Sequence, residues 1–167
     1  MYIHETQNWP IFTWSREQID AKLIKVSKAA GYLEGRLSAI GFDVQQQAAV
    51  EALTYDIVSS SEIEGVLLNS DQVRSSVARR MGVHITNETE PSHYIEGVVE
   101  MMMDAVNNYS SPLTDERLFG WHNCLFPTGR SGMEPINVGK YRVDPMDVVS
   151  GTWGREKVHY HAPAAED

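Results

Sequence analysis

The chain has 167 residues, 42% of them hydrophobic and 22% charged, and a formal net charge of −9; this balance suits a folded protein and excludes wholesale disorder. The negative field opposes polyphosphate, and no apolar run approaches the ~20 residues of a membrane span, so nucleic acid and membrane are set aside as partners. The amino terminus lacks the basic and apolar regions of a signal peptide and Cys124 is alone, which makes the cytoplasm the expected compartment.

The first dozen residues hold Trp9-Pro10, Phe12 and Trp14 and read as an extended segment laid across a core. A first helix follows, with Ser15 and Gln18 in capping-box spacing. Ile19, Leu23, Val26, Ala30, Leu33, Leu37 and Ile40 then recur every three or four residues until Gly41. A second helix is expected over 43–65: Asp43 and Gln46 repeat the cap spacing, Ala49, Val50, Leu53, Ile57 and Val58 make an apolar face, and Gly65 ends it. Further helices are expected over 70–81 with Gly82 behind, over 92–107 through Ile95, Val98, Val99, Met102 and Val106, and from Thr114 through Leu118, Trp121 and Leu125.

After Pro127 the helical period is broken by Gly129, Gly132 and Gly139, and Gly129-Arg130-Ser131-Gly132 reads as a turn rather than a phosphate loop, since it lacks the Gly-Lys-Ser/Thr ending. Residues 146–149 and 157–161 read as two strands of a long-looped hairpin that needs a packing partner. The final stretch, 162–167, with Pro163 followed by acids, reads as the first turn of another helix, so a continuation is expected.

The most informative segment is Ser59-Ser60-Ser61-Glu62-Ile63-Glu64-Gly65, because it sets acid at a helix C-terminus. That end carries partial negative charge, and a carboxylate there is disfavoured by roughly 0.3–1 kcal/mol. Ser60 and Glu64 lie one turn apart on a common face, and Glu64 is expected to meet a partner outside the helix.

In order along the chain, Asn8-Trp9-Pro10, Phe12-Thr13-Trp14, Ser59 to Gly65, Gln72 to Ser76, Arg79-Arg80, Arg117 to His122, Leu125-Phe126-Pro127, Gly139 to Arg142 and Val158-His159-Tyr160 resemble the amino-terminal portion of the Fic (filamentation induced by cAMP) family. The resemblance implies a mainly α fold, a helical bundle with a small β-hairpin, the flap. It divides the chain into a helical region over 1–110 that carries the inhibitory helix and the beginning of the Fic domain over 111–167. It implies that Glu64 is an inhibitory glutamate that pairs with an arginine of the catalytic loop and keeps the ATP γ-phosphate from its productive position, with Ser60 holding the inhibitory helix and Gly65 turning the chain.

The hairpin over 146–161 becomes the flap that docks a target protein through Met146, Val148, Val158 and Tyr160, and its tip, Val149, Ser150, Gly151 and Thr152, becomes the place of nucleotide contacts. ATP and Mg2+ are the cofactors implied for the complete enzyme. The family's catalytic signature, His-Pro-Phe-x-Asp-Gly-Asn-Gly-Arg, does not occur in these 167 residues, so no catalytic residue is assigned within them. The expected function is the regulatory and target-docking part of a self-inhibited protein adenylyltransferase, partnered by a catalytic segment or a separate Fic chain and compatible with a homo-oligomer. The alternative is a non-catalytic helical module that supplies an inhibitory helix in trans, as antitoxin-like partners do.

Other constellations carry less. Arg74, Arg79 and Arg80 read as a solvated helix face rather than a nucleic-acid patch. His159 and His161 alternate along a strand, but a structural zinc site needs about four ligands and no metal is assigned. His122 and Cys124, two apart on a helix, do not face each other, which leaves Cys124 as a buried, inert thiol. Of Met101-Met102-Met103, only Met102 falls on the apolar stripe, as core filling.

Overall fold

The computed structural model describes residues 2–164. Among them are five α-helices and two small antiparallel hairpins, so the fold is mainly helical as the sequence leads one to expect. The chain forms two compact units, Met1–Ala49 and Val50–Asp167.

In the first unit the opening residues make a 3-10 turn over Ile3–Glu5 instead of an extended strap, and Trp9, Phe12 and Trp14 stand exposed. Trp9 meets Phe12 edge-on with ring centroids 5.6 Å apart. Helix α1 (Arg16–Ser38) follows Ser15, but the Ser15 side chain makes no capping hydrogen bond, so the expected capping box does not form. The apolar stripe exists and is not buried: Leu23, Val26, Leu33 and Leu37 are all exposed.

Helix α1 stops before Gly41 because Ala39 and Ile40 turn back onto the carbonyls of Arg36 and Leu37, at 3.3 and 3.1 Å. The Gln45 side-chain amide then donates to the carbonyls of Leu37 and Ile40 at 2.9 and 2.6 Å, satisfying groups that a helix end leaves open. Helix α2 (Phe42–Ile63) begins one residue earlier than the sequence reading. The Gln45 N–H bonds to the Gly41 carbonyl at 3.1 Å, and Asp43 lies in the first turn, where its charge suits the dipole.

The second unit holds the core, built from the later turns of α2, α3 (Ser70–Met81), α4 (His93–Asn107) and α5 (Asp115–Leu125). Val50 and Ile57 from α2, Val73 and Val77 from α3, and Ile95, Val98 and Val99 from α4 are buried, each contributing roughly 1.5–3 kcal/mol on burial. Thr54 sits among them because its hydroxyl donates to the Val50 carbonyl at 2.7 Å. Ends are set by local chemistry: the side chains of Asn69, Ser92 and Thr114 accept the N–H groups of Gln72, Ile95 and Arg117. Gly82, at φ 68, closes α3 with Val83 N–H bonded to the Ala78 carbonyl at 2.9 Å.

Strands β1 (Arg130–Ser131) and β2 (Glu134–Pro135) form a short hairpin where a simple turn is expected from sequence. Its two-residue loop opens on Gly132, at φ 61, a left-handed position that glycine accepts freely. Strands β3 (Asp147–Ser150) and β4 (Lys157–His161) pair antiparallel. Between the Val148–Tyr160 and Val149–Val158 pairs the register shifts and leaves His159 as an extra residue, so simple alternation of His159 and His161 on one face does not hold. Residues 162–164 are not helical, and the rest of the helical turn expected at the carboxyl end lies outside the described residues.

Candidate functional site

Helix α2 ends in a Schellman arrangement. The N–H of Val66 bonds to the Ser61 carbonyl at 2.8 Å and that of Gly65 to the Glu62 carbonyl at 2.9 Å, with Gly65 in the left-handed region at φ 79. The stop is therefore sharp, and it fixes Glu64 as the last residue before the reversal. The Glu64 N–H still reaches back to the Ser60 carbonyl at 3.4 Å, which keeps the two residues one turn apart. No basic residue lies in the last turn of α2.

A cavity of about 260 Å³ opens beside this end. Ser60, Ser61 and Glu64 line one side, and Ile57, Tyr94, Val98, Met101, Met102 and Leu125 from α2, α4 and α5 line the rest. Glu64 is exposed, and among the described residues its carboxylate has no hydrogen-bond or ion-pair partner. An acidic group thus stands at the mouth of a mostly apolar hollow. Ser60 and Glu64 are brought together there, while Gly65 acts through the backbone.

Tyr94 belongs to this wall and is not marked in the sequence, while Leu125 is marked only as an apolar helix position and Met101 only as lying off the core stripe. Met101 carried a usable signal: it falls off the core stripe of α4 that Ile95, Val98 and Met102 define, and a large apolar side chain off the core faces a groove or solvent.

The β3–β4 hairpin holds the other expected site residues. Met146, Val148, Val149, Val158 and Tyr160 are all exposed, giving an apolar surface on a two-stranded ribbon. At its tip Gly151 has φ 118, and a Cβ there would lie 2.6 Å from the Arg155 carbonyl oxygen, so only glycine fits the turn. Ser150 Oγ is 2.5 Å from His159 Nε2, and His161 Nδ1 is 2.8 Å from Asp147 Oδ1, two cross-strand links that tie the ribbon together. Trp153 in the connecting loop is 99% exposed, beside Thr152.

The arginines of α3 and α5 are each paired with a carboxylate. Arg74 meets Glu51 at 2.6 Å, Arg79 meets Glu90 at 3.3 Å and Glu96 at 3.6 Å, and Arg80 meets Glu96 and Glu100 at 3.0 and 3.2 Å. The basic segment thus lies on the helix surface, with Arg79 and Arg80 exposed, and its charge is balanced by carboxylates. Asp104 is the acceptor hub between α4 and α5: Arg117 Nε, Trp121 Nε1 and Asn108 Nδ2 each donate to it at 2.7 Å. The Arg117 bond, followed by those from Asn108 and Trp121, lowers its carboxyl to about 2.

Cys124 is half-buried and burial pushes its thiol up, which matches the inert reading. His122 does not face it: its Nδ1 accepts the Gly139 N–H at 3.4 Å and its ring meets Phe126 edge-on. Among the described residues no group of three or more His, Cys, Asp or Glu side chains is arranged to hold a metal ion, and no helix is long and apolar enough to cross a membrane.

Comparison with curated proteins gives no match. Residues 2–83 do match a family, described as Domain of unknown function (DUF4172), over a span that runs through α1, α2 and α3 and takes in Ser60, Glu64 and Gly65.

Proposed function

We propose that this chain is the regulatory and target-docking part of a self-inhibited, Fic-type protein adenylyltransferase, with Glu64 as the inhibitory carboxylate. The observation that carries the reading is Glu64 itself: an acid at a helix C-terminus, unpartnered among the described residues, at the mouth of a cavity with largely apolar walls. A guanidinium suits that place. It offers two parallel N–H donors to the two carboxylate oxygens, it satisfies the charge that the helix end disfavours, and apolar walls strengthen the pairing.

On this reading the guanidinium belongs to the Fic catalytic loop, a segment not found within these 167 residues. While Glu64 holds it, the same donors are withdrawn from the γ-phosphate of ATP. When the pair opens, a hydroxyl of the target protein attacks the α-phosphorus, a new O–P bond forms, and pyrophosphate departs. The hairpin serves the other partner: a ribbon with exposed Met146, Val148, Val158 and Tyr160 offers a strand edge on which an extended target segment pairs through its backbone.

The test is labelling of a target protein by radiolabelled ATP with this chain supplied with a Fic catalytic segment, in cis or in trans. Glu64→Gly is expected to raise AMP incorporation several-fold over the wild type. Equal incorporation in the two proteins rejects Glu64 as the inhibitory group.

A further inference from the structure

A second cavity, of about 470 Å³, lies between the start of α4, the end of α5 and the β1–β2 hairpin. Tyr94, Leu125, Phe126 and Pro127 form its apolar walls, and His93, Thr128, Arg130 and Ser131 its polar ones. The volume lies within the range typical of small-molecule sites. What distinguishes it is charge. The protein has 23 acidic residues against 14 basic ones, and the neighbouring cavities carry Glu64 in one case and Glu96 and Glu100 in the other. This one has no carboxylate on its walls.

Arg130 differs equally from the arginines of α3 and α5. Arg74, Arg79, Arg80 and Arg117 all face a carboxylate, whereas Arg130 makes no ion pair among the described residues. Its single side-chain hydrogen bond runs from Nη1 to the Met133 carbonyl at 2.7 Å. That bond anchors the guanidinium to the hairpin loop and leaves the Nε–Nη2 edge open, the edge that grips a carboxylate side-on through two parallel bonds. The anchor is itself well held: Gly129 N–H bonds to the Phe126 carbonyl and Ile136 N–H to the Gly129 carbonyl, both at 3.0 Å, tying the hairpin to the end of α5.

We propose that this cavity binds a small organic carboxylate with an aromatic or branched apolar body, its anionic end on Arg130 and its body against Tyr94, Leu125 and Phe126. One guanidinium balances a single negative charge and matches the planar carboxylate fork. A bare phosphate gains nothing from the apolar surface of Tyr94, Leu125 and Phe126, whereas an organic body does. The assignment does not rest on the adenylyltransferase reading: the two cavities share Val66, Tyr94 and Leu125, but Arg130 lines only this one and Glu64 only the other.

The experiment is a titration of the isotope-labelled protein with 3-phenylpropanoate, followed by amide NMR. Saturable shifts are expected at Tyr94, Leu125, Phe126 and Ser131. Arg130→Gln is expected to weaken binding by roughly tenfold or more, the loss of a charge-assisted bidentate contact. Arg130→Lys, which keeps the charge but not the fork, should fall between. Inorganic phosphate should not produce the same shifts. The proposal is overturned if 3-phenylpropanamide shifts the same amides as strongly, if Arg130→Gln binds as the wild type does in a protein whose other resonances are unmoved, or if no saturable shift occurs at these positions. Tighter binding by an acetylated tripeptide ending in a free phenylalanine carboxylate overturns the small-molecule assignment in favour of a peptide terminus.

Discussion

Glu64 sits where its own helix opposes it, and nothing in the described structure compensates. Its neutral isostere is therefore expected to stabilise the protein. Glu64→Gln removes the charge from the negative end of α2 and keeps the shape, so thermal unfolding at low salt should show a gain of about 0.3–1 kcal/mol that fades as salt is added. A loss of stability would mean that the carboxylate already has a partner in the free protein. Gly97 makes the opposite point at residue scale, because a Cβ built there lies 1.9 Å from the Cys124 carbonyl oxygen. That oxygen is backbone and cannot rotate away, so α4 and α5 would have to separate. Gly97→Ala should lower stability by about 3 kcal/mol, at the upper end of ordinary overpacking, as read from the denaturant midpoint at constant slope.

Among the helices, Asp104 joins α4 to α5 by accepting from Arg117 and Trp121 while Arg117 also lies over the Trp121 ring, 4.9 Å from its centroid. Because the folded carboxyl is depressed to about 2 from an ordinary 3.8, the stability it contributes is complete above about pH 4 and is lost as the pH falls through 2. Asp104→Asn should melt lower than the wild type at pH 7, and the gap between the two should close across that acid window. A gap that stays constant down to pH 2 would assign the loss to packing rather than charge.

This cross-helix junction is invisible in the sequence, since Asp104, Arg117 and Trp121 meet only after two helices cross. By contrast, the 70–81 helix is readable to the residue because its signals are local: Asn69 caps one end and Gly82, at a positive φ, closes the other. The acid at the end of α2 is readable for the same reason, as a conflict within one helix. Its cavity is not, because Tyr94 and Leu125 arrive from distant positions. Ser15 shows the converse failure, a cap residue in the right place whose hydroxyl makes no capping bond.

For the whole molecule, the distribution of burial predicts an uneven stability. The core residues come from α2 onward, with Val50, Ile57, Val73, Val77, Ile95, Val98 and Val99 all buried, whereas α1 contributes no buried residue across Arg16–Ser38. An α-helix draws most of its stability in a protein from packing an apolar face, and an unsupported helix of moderate length is marginal in water. Gly31 and Gly35 lower it further, each by about 1 kcal/mol relative to alanine. Native-state hydrogen exchange should therefore find the α1 amides opening at a small fraction of the global free energy, while those of α3 and α4 exchange only on global unfolding. The exposed series Leu23, Val26, Leu33 and Leu37 gives the measurement its second use. Protection of α1 equal to that of α4 would mean that another surface covers this stripe in solution, and dilution would then separate the sources: protection that falls with protein concentration belongs to a second copy, and protection that persists belongs to the chain itself.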